Sequence, residues 1–261
     1  MCRITILVTI AEAGASDKPD TVKQIPEALR LSRTLILCPP GLIENWKDEF
    51  RTWQPRDTVN VGKIYEIASI EMPTAKRRLD MRLDTISNWC DTGGVLILGY
   101  QMFRNITNNT AVKGKDPPMT EEQHQQVKEQ LLSGPNIIVA DEAHTLKNTK
   151  SGIGVAAKGF KSTSRIALTG SPLANNLQDY YAMIDWVAPG YLGESLEFKA
   201  YYQEPIENGT YMDSTPAEIR KSLKKLAALK REIDPKVCCQ LLQDYQVDCH
   251  YGCGGETADM L

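Results

Sequence analysis

The chain has 261 residues, 42% of them hydrophobic, and a formal net charge of -3, which provides for one large α/β domain or two small ones with a buried core. No run approaches the roughly 18 apolar residues of a membrane span, and the opening Met1-Cys2-Arg3-Ile4-Thr5-Ile6-Leu7-Val8 turns polar too soon for a secretory signal. The charge excludes a surface coated in basic residues, although a local cationic stripe suffices for nucleic acid, and seven cysteines, an odd number, do not form the framework of a secreted disulfide scaffold. An intracellular, reducing location away from the membrane is the expectation.

In chain order, the first strand signal is Arg33-Thr34-Leu35-Ile36-Leu37-Cys38, an apolar run stopped by Pro39-Pro40-Gly41, whose prolines remove backbone donors. Leu42, Ile43, Trp46, Phe50 and Trp53 then recur mostly at spacings of three and four, the pattern of a helix that lays one face on a sheet. Gly94-Val95-Leu96-Ile97-Leu98-Gly99-Tyr100 is a second strand. The polar stretch 105–126, with Lys113-Gly114-Lys115-Asp116-Pro117-Pro118, reads as a surface loop leading into a helix. Asn136-Ile137-Ile138-Val139-Ala140 and Arg165-Ile166-Ala167-Leu168-Thr169 supply two more strands. Residues 216–233 carry Ile219, Leu223, Leu226 and Leu229 at helical spacing among Arg220, Lys221, Lys224, Lys225, Lys230 and Arg231, an amphipathic basic helix with a solvated charged face. Beyond Cys238 the periodicity decays. Apolar runs without alternation, separated by helical stretches, are what a parallel sheet covered on both faces requires, so the predicted fold is α/β, doubly wound and mostly parallel. The expected division is a lobe over 1–215, the basic helix ending it at 237, and a Cys-rich tail over 238–261.

The main chemical signal is Ile137-Ile138-Val139-Ala140-Asp141-Glu142-Ala143-His144, a strand that delivers two carboxylates and an imidazole at its carboxyl end, where open α/β sheets place their ligands. Asp141 can hold Mg²⁺ against nucleotide phosphates, directly or through water, and Glu142 can take a proton from an attacking water. The bland alternative is an Asp-Glu pair that complements a helix macrodipole. Leu168-Thr169-Gly170-Ser171-Pro172-Leu173 follows another strand with hydroxyls and a glycine, able to sense a phosphate or to serve as an ordinary strand-to-helix turn.

Together these segments resemble the Swi/Snf-type DNA-dependent ATPases of helicase superfamily two. Asp141-Glu142-Ala143-His144 is similar to the family's Walker B or DEAH box, and Leu146-Lys147-Asn148 with Ser151 to its extension. Leu168 to Leu173 with Asn175, Asn176 and Leu177 resembles motif III; Leu35-Ile36-Leu37-Cys38-Pro39-Pro40 with Leu42 and Asn45-Trp46 resembles motif Ia; Leu98-Gly99-Tyr100 resembles motif Ib less closely. The order and spacing agree over about residues 1–237. The resemblance implies a RecA-like helicase lobe that uses ATP and Mg²⁺, tracks along duplex DNA or nucleosomes in the nucleus, and works with a second motor lobe. It implies Asp141, Glu142, Thr169, Gly170 and Ser171 around the nucleotide, with Asp141 assisting Mg²⁺ through water and Glu142 activating water. His144 with the Thr169 turn would couple the nucleotide to the DNA side, where Pro39, Pro40, Tyr100 and Lys147 would meet phosphate and sugar without reading sequence.

The chain departs from that pattern in having no Gly-x-Gly-Lys-Thr: Gly62-Lys63 precedes Ile64, and Gly114-Lys115 precedes Asp116. In the family the phosphate-binding loop sits just before a helix that residues 4–13 resemble. The second lobe's arginine finger, worth about 10³ to 10⁵ in turnover, is not encoded here either. The expectation is therefore a first motor lobe that is inactive as an isolated chain, with a non-catalytic DNA- or partner-binding module as the alternative and an unrelated α/β hydrolase as a third reading. Cys238, Cys239, Cys249, His250 and Cys253 are spaced poorly for zinc. Free thiols are the expected state of that tail.

Overall fold

In the computed structural model the described residues are 2–16, 18–30, 32–53, 61–67, 75–109, 118–148, 151–170 and 177–237. Five strands, β1 (Arg33–Cys38), β2 (Ile64–Glu66), β3 (Gly94–Gly99), β4 (Ile137–Asp141) and β5 (Ser164–Leu168), pair in the order β2-β3-β1-β4-β5, and every pairing is parallel. Central β1 holds Leu35 opposite Leu96 of β3 on one side and Ile138 of β4 on the other. The chain first steps outward to β2 and β3 and then crosses β1 to β4 and β5, a reversal that opens a crevice at the carboxyl ends of the strands.

Leu35, Ile36, Leu37, Cys38 and the β3 residues Val95 to Leu98 are all 0% exposed, as a sheet buried on both faces demands. The pleat divides them. Ile36, Cys38, Val95, Ile97, Ile137 and Val139 form one core with Ile4, Leu7, Val8 and Ala11 of α1 (Cys2–Gly14) and with Trp46 and Phe50 of α3 (Ile43–Trp53). The alternate residues point the other way, towards the helices that return the chain: α4 (Ala75–Thr92), α5 (Tyr100–Asn108), α6 (Glu121–Ser133) and α7 (Gly152–Lys158). Short α2 (Pro19–Gln24) leads into β1, and α8 (Leu177–Val187) packs on β5. At the start of β3, Gly94 has φ +103, and a Cβ there would strike the backbone of Lys63. A glycine is what lets edge strand β2 join.

Four strands and the α3 and 216–233 helices stand where the sequence placed them, with β4 shifted by one residue, to Ile137–Asp141, and β5 shifted to start at Ser164. Two features differ. Strand β2 was not expected, and the polar stretch begins inside a helix: α5 runs through Asn105 to Asn108, burying Tyr100, Phe103, Ile106 and Thr107. Residues 110–117 of that stretch lie outside the described residues. The predicted helix beyond it is α6, opened by a capping box of Thr120 and Gln123.

The chain divides into two compact units, Met1–Phe198 and Lys199–Leu261; the first ends with α9 (Ser195–Phe198). The second holds a π-helical turn (Lys199–Gln203), α10 (Glu204–Glu207) and α11 (Pro216–Ile233). Thr215 and Glu218 cap α11 reciprocally and Pro216 occupies its first turn. The buried face of α11 is rotated from the apolar stripe in the sequence: Ser222 and Leu229 are buried, while Ile219 and Leu223 are 42% and 60% exposed. The Cys-rich segment 238–261 lies outside the described residues. Among the described residues no helix is long and apolar enough to cross a membrane.

Candidate functional site

The carboxyl ends of β1, β3, β4 and β5 carry the predicted residues, because parallel strands all finish on one edge. Asp141 ends β4 opposite Leu168 of β5. The next residue, Glu142, adopts φ 52 and ψ 50, a left-handed conformation that costs a non-glycine residue about 1 kcal/mol. This turn folds the Glu142 amide back onto its neighbour, donating to Asp141 Oδ1 at 3.1 Å. It also starts the 3₁₀ turn Ala143–Leu146 through a bond from the Thr145 amide to the Glu142 carbonyl at 2.9 Å.

The same turn brings Glu142 and His144 side by side, with Oε2 and Nδ1 3.2 Å apart and both side chains about two-fifths exposed. Thr169, just past β5, stands 3.5 Å from the same His144 nitrogen. Carboxylate, imidazole and hydroxyl therefore form a line from the strand tip to the following turn. Gly170 is exposed, with open space where a Cβ would lie, and Ser171 lies outside the described residues.

Asp141 itself is 6% exposed and held from two further directions. The indole Nε1–H of Trp46 donates to its Oδ2 at 2.9 Å, and the hydroxyl of Tyr100 donates to its carbonyl oxygen at 2.7 Å. Burial, reinforced by the Asp141 charge, pushes the Tyr100 phenol far up, which keeps it a neutral donor. Burial and then Asp141 push the Cys38 thiol, at the end of β1, up to about 12.

The residues expected on the DNA side separate into three cases. Pro40 is exposed and Pro39 half-buried, at a turn where the Pro39 carbonyl accepts from the Leu42 amide at 2.9 Å. Lys147 pairs with Asp179 of α8 at 3.1 Å. Tyr100 is a correction: its side chain is 4% exposed and its hydroxyl is bound to Asp141, so it supports the strand tip and offers no side chain to DNA. Trp46 was read from the sequence only as part of a packing face and of motif Ia. Helical periodicity carries no signal for where an indole N–H points.

The donor set suits a hydrated hard cation better than an all-protein cage. Each Asp141 carboxylate oxygen accepts one of the bonds above, and a carboxylate accepts through about four positions in all. Among the described residues no group of three or more His, Cys, Asp or Glu is placed to hold a metal directly. Magnesium is commonly bound in this way, by one or two carboxylates, retained waters and substrate phosphates.

Known proteins resemble the chain in sequence and in fold. The chain is 38% identical over 192 residues to Protein CHROMATIN REMODELING 20 of Arabidopsis thaliana, covering 74% of this chain and 12% of that protein. It is 35% identical over 223 residues to the Transcriptional regulator ATRX homolog of Drosophila melanogaster, covering 85% of this chain and 16% of that one. It thus spans a small part of these relatives' length. Among solved structures, the Sulfolobus solfataricus SWI2/SNF2 ATPase core in complex with dsDNA matches with a TM-score of 0.50 at 24% identity, over 83% of this chain and 34% of that chain, and shares the fold of a five-stranded parallel sheet with flanking helices. The SNF2-related domain profile matches residues 4–247, and the chain belongs to that family.

Proposed function

We propose that the chain is the N-terminal motor lobe of a DNA-dependent ATPase that translocates on duplex DNA in chromatin remodelling or repair in the nucleus, and that the isolated 261-residue polypeptide does not itself turn over ATP. The observation that carries the reading is the β4 tip, where buried Asp141 and partly exposed Glu142 stand at the carboxyl edge of the sheet, in contact through His144 with Thr169. Bound Mg²⁺ would neutralise charge on the nucleotide phosphates, and Asp141 would hold it through water. Glu142 takes the proton of the attacking water, with His144 beside it as orienting partner. His144 and Thr169 connect β4 to the turn after β5, so a change at the nucleotide reaches the next loop. Gly170 and Ser171 belong to that loop, and the proposed nucleotide contacts include both.

On the DNA side, exposed Pro40 and its neighbour Pro39 have no backbone N–H and would meet the sugars by van der Waals contact, while Lys147 adds a cation for phosphate that it shares with Asp179. Such contacts read no bases.

The test is duplex binding and ATP turnover by the purified chain. Binding is expected to weaken linearly on a log-log plot as salt rises, through counterion release, and to be indifferent to sequence, with ATP hydrolysis at background. Hydrolysis above background that Glu142→Gln abolishes would overturn the inactive reading. Salt-independent or absent duplex binding would overturn the DNA reading.

A further inference from the structure

We infer that Trp46 is a positioning residue for the nucleotide-metal carboxylate, holding Asp141 in one orientation from helix α3. The inference rests on the proposed metal role of Asp141.

Three atoms of Asp141 are fixed by three separate elements: Oδ2 by the Trp46 indole, Oδ1 by the Glu142 amide, and the carbonyl oxygen by the Tyr100 hydroxyl. The Trp46 bond spans 95 positions of sequence at 2.9 Å, between residues that are 4% and 6% exposed. Its donor is rigid because the indole is wedged in the core. Phe50 lies one turn along the same face with its ring centroid 6.2 Å away, and Ile36, Val139 and α1 close around both. A bond from a packed indole to an ionised carboxylate is charge-assisted and short, about twice the strength of a neutral one.

The chemistry also explains why the residue is a tryptophan. Indole nitrogen donates and never accepts, so it can orient Oδ2 only as an acceptor. Phenylalanine would pack comparably but remove the N–H that orients Oδ2. A site held to within about 0.5 Å by its supporting groups is what metal and nucleotide chemistry needs. Moreover, α3 begins directly after the Pro40–Leu42 turn, so the helix that starts at the proposed DNA contact is the one that grips the carboxylate.

The test titrates Mg²⁺ alone into the ¹⁵N-labelled 261-residue chain and follows two resonances, the Glu142 amide and the Trp46 indole N–H. In the unsubstituted chain both are expected to move with one midpoint. In Trp46→Phe the Glu142 midpoint should rise about tenfold, the equivalent of one charge-assisted hydrogen bond. A purely structural tryptophan would lower thermal stability and leave that midpoint unchanged, which overturns the inference while the metal role of Asp141 stands. If the Glu142 amide does not respond to Mg²⁺ in the unsubstituted chain, the metal reading fails and the inference falls with it. Should Trp46→Phe not fold, the unsubstituted titration decides: an indole resonance that stays still while the Glu142 amide moves overturns the role.

Discussion

The two ends of the parallel sheet both hold polar side chains at least partly out of solvent, and they use them differently. At the amino end, Arg165 of β5 donates to three main-chain carbonyls: Nε to Ser162 at 2.8 Å, Nη1 to Trp186 at 2.9 Å and Nη2 to Phe160 at 2.7 Å. Ser162 Oγ donates to the Asn136 carbonyl at 2.6 Å, and Arg33 to that of Cys90 at 3.4 Å. The acceptors of these side-chain donors are all backbone, and Ser162 Oγ in turn accepts from the Ser164 amide at 3.1 Å, so the side chains close connections between elements. At the carboxyl end, Trp46, Tyr100 and the Glu142 amide converge on one residue that has a carboxylate of its own. Fixed donors aimed at backbone make a scaffold; the same donors aimed at a charge make a site.

The largest expected effect breaks the scaffold end. Arg165→Ala strands three carbonyls and is expected to cost about 3 kcal/mol, read by urea unfolding. Arg165→Lys should recover less than half, since one ammonium cannot span acceptors arranged for a planar guanidinium. The folded fraction of either variant should bind duplex DNA as the unsubstituted chain does. A loss near zero for Arg165→Ala would remove the distinction between the two ends.

A second effect extends the comparison to the other compact unit, which has no strand among its described residues and closes its helices by small residues. Gly209 lies against Ser222 of α11, whose hydroxyl donates to the Ile206 carbonyl at 2.8 Å, and a Cβ on Gly209 would overlap that serine. Gly209→Ala should therefore cost about 2 kcal/mol by overpacking. Hydrogen exchange should quicken in α11 and remain slow in β1, β3 and β4. Quickening spread evenly through the sheet would show that the two units unfold as one.

How much of this was legible in the sequence follows from what each feature depends on. Strands β1, β3 and β4 were visible because both of their faces are buried, so each is an unbroken apolar run. Strand β2 was not: only Tyr65 of its three residues is buried, and its existence depends on Gly94 admitting it. Helix α5 ends in Asn-Ile-Thr-Asn, poor helix formers, and is held by the burial of Phe103 and Ile106 rather than by local propensity. In the site, Asp141, Glu142 and His144 are close in sequence, and their geometry follows from one strand and one turn. Trp46 and Tyr100 reach the same point from 95 and 41 positions away, and that convergence is set by the strand order. The apolar stripe of α11 misled in the opposite way, because the Gly209 contact turns Ser222 inward and leaves Leu223 outside.

The smallest effect compares the charge at the two ends through two buried thiols. Burial raises both above the ordinary 9.0, Cys38 to about 12 and Cys90 to about 11. Burial is the largest cause at both; beyond it, the anion of Asp141 adds to the rise at Cys38, whereas at Cys90 the Arg33 cation opposes the rise and Asp91 adds to it. Because folding raises each value, the unfolded chain gives up these protons first. The contribution of the neutral thiols to stability is thus complete below pH 9 and is lost as pH climbs from 9 towards 11 and 12. Following the cysteine ¹³Cβ shifts between pH 8 and 11, Cys90 should begin to ionise while Cys38 stays protonated. Asp141→Asn should lower the Cys38 midpoint and leave that of Cys90 in place, because only one thiol lies at the end of the sheet that carries the carboxylate. Equal movement of both midpoints would mean that burial alone sets them and that the ends do not differ in charge.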